Sequence, residues 1–345
     1  MSQLSFPAAH LPRGWFIVGW GHELKAGEVK PLEYFGEHLV LWRGESGAVF
    51  LQDAFCLHLG AHRGVKGWVT GDDLNCPWHG WVWDGNGSNT SIPYSKEGCK
   101  PRLRIRTYPV REWCGAIIAW FDWDRNGSPT WEMPETPEYE DPNYYRMHPV
   151  SSRVFRVKAH PQMPVENACD PAHIPLVHGA STIPVLSDVG TDGPVFRSTV
   201  HLTYGGGKKS TALTPGGPVD ATFQSNVYGI GVSVVYWRSP DLVPSWMITG
   251  FTPIGDGYID YYFSFASERE PGDTSEEPTG RALAMLKTQF DVIPQDFFTW
   301  ENMTYLEKPN FAAEEAKNYA LFRRWAMQFY PADDQAALEK FTGED

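Results

Sequence analysis

At 345 residues, 42% apolar and 21% charged, the chain is long enough for two domains and has the composition of an ordered globular protein. Its net charge of -13 argues against nucleic acid as a partner, because phosphates demand basic patches, and no apolar run approaches the ~20 residues of a membrane span. Five cysteines lack disulfide-framework spacing, and the start, MSQLSFPAAHLPRGWF, has no basic region ahead of an apolar stretch; both features point to a cytoplasmic protein without a secretory signal.

Residues 14 to 121 read as short strands. HLVLWRGESGAVFLQD is a hairpin, two apolar runs around a Gly-Glu-Ser-Gly turn, and LRIRTYPVREWCGAIIAWF repeats the pattern. Between them lies CLHLGAHRGVKGWVTGDDLNCPWHG. It places Cys56 and His58 as a Cys-x-His pair and, seventeen residues later, Cys76 and His79 as a Cys-x-x-His pair. Cys and His are the ligands a soft or borderline metal takes. A Cys2His2 zinc site is one reading, and ordinary core and surface residues are another. Zinc fingers, however, pair Cys with Cys and His with His, whereas here each loop supplies one of each. That division suits a [2Fe–2S] cluster of the Rieske kind, with Cys56 and Cys76 on one iron and His58 and His79 on the other. His62, four residues from His58, is a competitor.

The segment NGSPTWEMPETPEYEDPNYY concentrates Pro, Glu and Asn and reads as a linker. The expected division is a domain at 12–124, a linker at 125–146 and a second domain at 147–345. Strands are expected near 147–160, a His-rich helical stretch near 164–178, and further strands from 195 to 266. The Gly- and Pro-rich run 205–218 is expected to be a mobile loop gating access to a pocket, and EREPGDTSEEPTG a second loop. Helical periodicity begins at Arg281, and Phe322, Ala326 and Phe329 share a helix face. The order is a small all-β domain followed by an α+β domain.

The stretch ENACDPAHIPLVHG offers Asn167, Asp170, His173 and His178. His173 and His178 are five apart, and a bend at Pro175 would turn both rings to one metal. Two His and one carboxylate make the facial triad of non-heme Fe(II) oxygenases. A solvated or structural His pair is the alternative. The carboxylate must come from elsewhere, and FDVIPQDFFTWENMTY holds three candidates, Asp291, Asp296 and Glu301, among which periodicity does not choose.

Cys-x-His-x17-Cys-x2-His, with GAH after the first pair and PWHGW around the second, resembles the Rieske domain of Rieske non-heme iron oxygenases. Asn167-x2-Asp170-x2-His173-x4-His178 resembles that family's mononuclear iron motif. QDFFTWEN, LEKPNF and LFRRWAMQFY are similar to the C-terminal segment of its ketosteroid 9α-hydroxylase and cholesterol 7-desaturase branch. The resemblance extends over PRGWFIVGW, GEVKPLEYFGEHLVLWRGESG and HPQMPVENACDPAHIPLVHG, and is thinnest from Thr182 to Arg281. It implies an all-β Rieske domain, then a catalytic domain with a curved antiparallel sheet and C-terminal helices of the helix-grip kind. It implies a [2Fe–2S] cluster on Cys56, His58, Cys76 and His79, and a mononuclear Fe(II) on His173, His178 and Asp296. The implied activity is that of a terminal monooxygenase component, which uses O2 and electrons from a ferredoxin or flavin reductase to hydroxylate a bulky apolar molecule such as a steroid. Demethylation or desaturation of a smaller ring compound is the alternative, and an electron carrier or zinc protein a third. No GxGxxG loop follows a strand, so NAD(P)H is expected only on the partner reductase. The resemblance also implies a homotrimer in which one subunit's cluster serves its neighbour's iron. Asp170 would then accept hydrogen bonds from His173 and, across the boundary, from His79.

Overall fold

The computed structural model describes residues 6–125, 127–204, 217–239, 241–306 and 308–342. The expected gating loop lies outside these apart from Gly217 and Pro218. The chain forms two units. One comprises Trp15–Glu132 with Thr252–Asp256, and the other Met1–Gly14, Met133–Phe251 and Gly257–Asp345.

The smaller unit contains three small sheets. The first expected hairpin forms from Glu37–Arg43 and Val49–Asp53, flanked by Val29–Tyr34 and Thr107–Tyr108. The second forms from Val110–Trp113 and Ala116–Phe121 and pairs with Gly14–Trp20. Its two-residue turn, Cys114–Gly115, has φ of 49° and 76°, as hairpin twist requires, and glycine makes the second position cheap. The third sheet runs Trp68–Thr70, Asp73–Asn75, Val82–Trp83 and Asn89–Ser91. Trp81, Trp83, Ile92 and Ile105 pack with Cys56 and Cys76 into one buried cluster, so both thiols lie in the apolar interior.

The larger unit is built on a seven-stranded sheet in the order Ser152–Val157, Ile259–Ser267, Ser245–Pro253, Val232–Arg238, Val219–Tyr228, Val195–Tyr204 and Val185–Asp192. Every residue of Ile259–Ser267 is buried. The edge strand Val185–Asp192 was not expected. Its sequence, VLSDVGTD, is half polar and none of its residues is buried, so it lacks the alternation that marks a half-buried strand. The helices Gly280–Val292, Phe297–Trp300, Ala313–Met327 and Ala332–Leu338 follow. Phe322, Ala326 and Phe329 are buried, as their spacing predicts.

The His-rich stretch differs from the single helical segment expected. It is broken into a turn of α-helix at Gln162–Val165, a 3-10 turn at Glu166–Cys169 and a short helix at Ile174–His178. Pro164, Pro171 and Pro175 each remove a backbone donor, and Asp170 between the pieces is extended, at φ -115° and ψ 91°. Asp170, three residues before His173, is therefore not separated from it by a helical turn.

Candidate metal centres

The two loops of the smaller unit share one backbone design. Cys56 N–H donates to Ala61 O at 2.9 Å and Gly60 N–H to Cys56 O at 2.9 Å. Cys76 N–H donates to Trp81 O at 2.8 Å and Gly80 N–H to Cys76 O at 3.0 Å. Gly60 and Gly80, at φ 75° and 68°, close each turn in the left-handed region. These twin knuckles bring the His58 and His79 rings to 4.6 Å between centroids and set the thiols side by side. The two thiols interact, so that one of the pair ionises more readily and the other less, and the hydrogen bond from Cys56 favours the Cys76 thiolate. Trp81 stacks on His58 at 4.6 Å and is itself held by Tyr94, its Nε1–H donating to the hydroxyl at 2.9 Å. His62 lies apart from the other four. Its ring faces Phe55 and His38, and its Nδ1 accepts the Gly64 N–H.

The surroundings fit an anionic cluster. Arg63 is fully buried, and it donates to Gln52 and to the Asp53 carbonyl, yet its Nε has no partner among the described residues. Burial lowers its pKa to about 10, while the charges of Cys56 and Cys76 act to raise it. The Trp83 indole N–H is buried without a partner oxygen among the described residues, and its neighbour is the Cys56 sulfur, whose ionisation it favours. Two buried donors beside two thiols suit a group that carries negative charge on sulfur.

In the larger unit His173, His178 and Asp296 meet, and one ligand atom from each lies within 4.8 Å of the others. Both Nε2 atoms face Asp296 Oδ1, at 3.9 Å from His173 and 3.4 Å from His178. The candidates left open by periodicity separate here, since Asp296 is buried beside the rings while Asp291 and Glu301 are exposed. Gln295 Oε1 lies 3.1 Å from His178 Nδ1 and accepts its proton, which leaves Nε2 free to bind. Burial would lower the His178 pKa, but the Asp296 carboxylate and Gln295 outweigh it and hold it above the ordinary value. Two imidazoles and a carboxylate on one side of a point, with apolar space opposite, fit an Fe(II) facial triad.

Asp170 stands behind His173. Its Oδ1 accepts the Ala172 N–H at 2.9 Å, and its Oδ2 lies 3.3 Å from His173 Nδ1, close but not aligned as a hydrogen bond. Burial pushes the Asp170 carboxyl upward, yet the His173 ring, the Tyr319 hydroxyl and the Ala172 N–H together hold it below the usual range. The turn carrying Asn167 and Asp170 is anchored by Glu166. That buried carboxylate accepts from Arg323 at 3.0 and 2.8 Å, from Tyr305 and from Gln162. Neither Tyr319 nor the Glu166–Arg323 pair was marked by the sequence, because each joins segments far apart in the chain.

A cavity of about 600 Å³ opens beside the triad, which forms part of its wall together with Asn167. Val200, Phe223, Val235, Trp237, Met247 and Phe251 give it an apolar lining drawn from four strands of the large sheet.

Comparison with known proteins adds two matching family signatures, the Rieske [2Fe–2S] domain over residues 14–109 and the 3-ketosteroid 9α-hydroxylase C-terminal domain over residues 119–330. A probable 3-ketosteroid-9-alpha-monooxygenase oxygenase component of Rhodococcus rhodochrous is 30% identical over 329 residues, covering 94% of this chain and 81% of that protein. A cholesterol 7-desaturase of Bombyx mori is 29% identical over 332 residues, covering 92% and 69%. Among solved structures, dicamba monooxygenase bound to dicamba has the same fold, at a TM-score of 0.71 and 18% identity over 92% of this chain and 96% of that one.

Proposed function

The chain belongs to the family of Rieske oxygenases that carry the 3-ketosteroid 9α-hydroxylase C-terminal domain, and on that premise we propose that it hydroxylates a bulky apolar polycycle of steroid size. It is an O2-dependent oxidoreductase, the oxygenase component of a multicomponent system. Its cofactors are a Rieske [2Fe–2S] cluster and a mononuclear non-heme iron, and its electrons come from partner proteins.

The observation that carries the substrate reading is the cavity at the triad. At about 600 Å³ it lies within the ~300–1,000 Å³ of pockets that enclose a molecule of this size. Its lining has the apolar, aromatic character that fused rings need, and the relatives named for ketosteroid and cholesterol chemistry agree. These features favour a polycycle over a smaller ring compound.

When bound, the cluster supplies single electrons and the iron supplies O2 activation. On this reading Cys56, Cys76, His58 and His79 hold the cluster, and His173, His178 and Asp296 hold the iron. Gln295 bonds the far nitrogen of His178 and fixes which of its nitrogens is free to bind, and Asp170 stands 3.3 Å from the far nitrogen of His173. Asn167 lines the cavity next to them, and the apolar walls exclude water and position the substrate by shape. Residues 12–124 are the cluster domain, 125–146 the linker and 147–345 the catalytic domain.

The electron donor in this reading is a ferredoxin or flavin reductase drawing on NAD(P)H, and the compartment is the cytoplasm, where Cys99, Cys114 and Cys169, outside the cluster, stay reduced. The assembly is a homotrimer that brings one copy's cluster to the next copy's iron. Exposed apolar side chains support it. Leu59, Trp78 and Tyr94 near the cluster loops are 60–61% exposed, and Leu176 and Phe298 beside the triad residues are 91% and 63% exposed. With Asp170 at such a boundary, His79 of the next copy could reach it.

The test is turnover of the metal-loaded protein with a surrogate ferredoxin and reductase, NADH, and a panel of ketosteroids, sterols and small aromatic acids, read by product mass. Gain of one oxygen on a polycycle is the expected result. Turnover confined to the small aromatics would overturn the substrate assignment.

A further inference from the structure

Two arginines are buried among the described residues, and their surroundings differ. Arg323 lies on the Glu166 carboxylate at 3.0 and 2.8 Å, so its charge is met by an opposite one. Arg63 is 0% exposed, and its hydrogen bonds go only to neutral oxygens. Its Nη1 donates to Gln52 Oε1 at 2.8 Å and its Nη2 to the Asp53 carbonyl, while its Nε has no partner among the described residues. The Asp53 carboxylate instead accepts from the Tyr108 hydroxyl at 3.1 Å. Burying a cation without a bonded counter-charge is costly, and a neutral donor could tie Gln52 to residue 53 as well, so the fold does not require a charge here.

The place of that charge is fixed by the backbone. Arg63 N–H donates to Ala54 O at 2.8 Å, two residues before Cys56, and a side chain at Gly67 would collide with the Arg63 carbonyl. The guanidinium stands 5.9 Å from the Trp83 ring centre, and Trp83 packs in the same buried cluster as Cys56 and Cys76. Burial pulls the Arg63 pKa down to about 10, which leaves it charged at neutral pH, and the charges of Cys56 and Cys76 oppose that pull more strongly than Asp53 does.

We infer that Arg63 is a tuning residue of the [2Fe–2S] cluster, whose buried positive charge, bonded only to neutral groups, raises the cluster's reduction potential. The inference rests on the assignment of the cluster to Cys56, His58, Cys76 and His79 and deepens it. One-electron reduction adds one negative charge to the cluster, and net charge is one of the factors that set such potentials. Next to a buried cation that added charge is stabilised by a field that solvent screens little. The cost of burying Arg63 is thereby partly offset in the reduced state and not in the oxidised one. An apolar side chain at this position would leave both states without that field. With Arg63 in place the cluster takes electrons more readily from its donor protein and passes them toward the iron with less driving force.

The test is potentiometric titration of the metal-loaded protein with dithionite, with the visible and magnetic resonance spectra showing that the cluster is intact. Arg63→Met keeps a long side chain and removes the charge. Gln52→Glu keeps Arg63 and sets a carboxylate against its Nη1. Arg63→Met should shift the one-electron equilibrium at least about tenfold toward the oxidised cluster, a fall of about 59 mV. Gln52→Glu should shift it in the same direction by at least about threefold. Both shifts should persist at about 0.5 M salt, which screens exposed charges far more than buried ones. A variant with an intact cluster whose equilibrium moves less than about threefold overturns the inference, as does a shift that salt abolishes. Should one variant fail to hold its cluster, the other decides by the same criteria. Wild type that takes up iron and sulfide without a Rieske spectrum overturns the cluster assignment itself, and the inference with it.

Discussion

In the smaller unit, all four candidate cluster ligands stand on two neighbouring loops of the same backbone design, each closed by a left-handed glycine and two main-chain hydrogen bonds. In the larger unit the triad draws His173 and His178 from around a short helix and Asp296 from a 3-10 turn far along the chain. The cluster loops are held by their own main chain. The triad is held by side chains from several elements, namely Gln295 on His178, Asp170 near His173, Tyr319 on Asp170 and Arg323 on Glu166. A site held by its own backbone is robust and local. A site assembled from distant pieces can be tuned, and it can be lost one contact at a time.

The strongest way to break this comparison is to remove one ligand from each site. Cys76→Ser should abolish the visible absorption of the cluster, while His173→Ala leaves that absorption intact. Equal loss of colour in two folded variants would mean that the sites are not independent.

Next in size is Asp296→Ala. Iron analysis should show loss of the mononuclear iron and turnover should fall to background, with the cluster spectrum unchanged. Asp291→Ala and Glu301→Ala should keep both, because those carboxylates are exposed and away from the rings. Full iron content in Asp296→Ala would move the third ligand elsewhere.

Asp170→Asn should be milder and more specific. The amide oxygen still accepts the Ala172 N–H, so the turn and the fold survive. The charge beside His173 is lost. Turnover should drop roughly 10–100-fold with both metals retained. Single-turnover yield on pre-reduced protein checks it, and a full yield would leave Asp170 as a turn residue only.

The smallest effect sharpens the cluster side of the comparison. Trp83→Phe removes an indole N–H beside the Cys56 sulfur and keeps the ring in the core. A hydrogen bond to sulfur favours the reduced, more negative cluster, so the reduction potential should fall by about 40 mV for a bond worth about 1 kcal/mol. Potentiometric titration reads this directly, and an unchanged potential would mean the N–H does not reach the cluster.

The two units also differ in how much of each could be read beforehand. The hairpins of the smaller unit were legible because alternation and turn chemistry act within about ten residues. The same local chemistry, Cys-x-His and Cys-x-x-His beside glycine, marked the candidate cluster residues. In the larger unit the strand Val185–Asp192 was missed because its partner, Val195–Tyr204, supplies the order that its own half-polar sequence does not. The stretch 164–178 was read as helical, and Pro171 and Pro175 keep a single helix from running through it.

By itself, the sequence determined the α+β order, the two constellations of His, Cys and carboxylate, and the family resemblance, because these reside in short stretches whose meaning survives without neighbours. Periodicity left three acidic residues open and the resemblance pointed to Asp296; the tertiary structure sets Asp296 facing the histidines, and it alone decided that Arg63 and Trp83 stand beside the thiols. Burial and partnership are relations between distant segments. A carboxylate, a guanidinium or an amide takes its chemistry from what surrounds it, and only the folded chain brings those surroundings together.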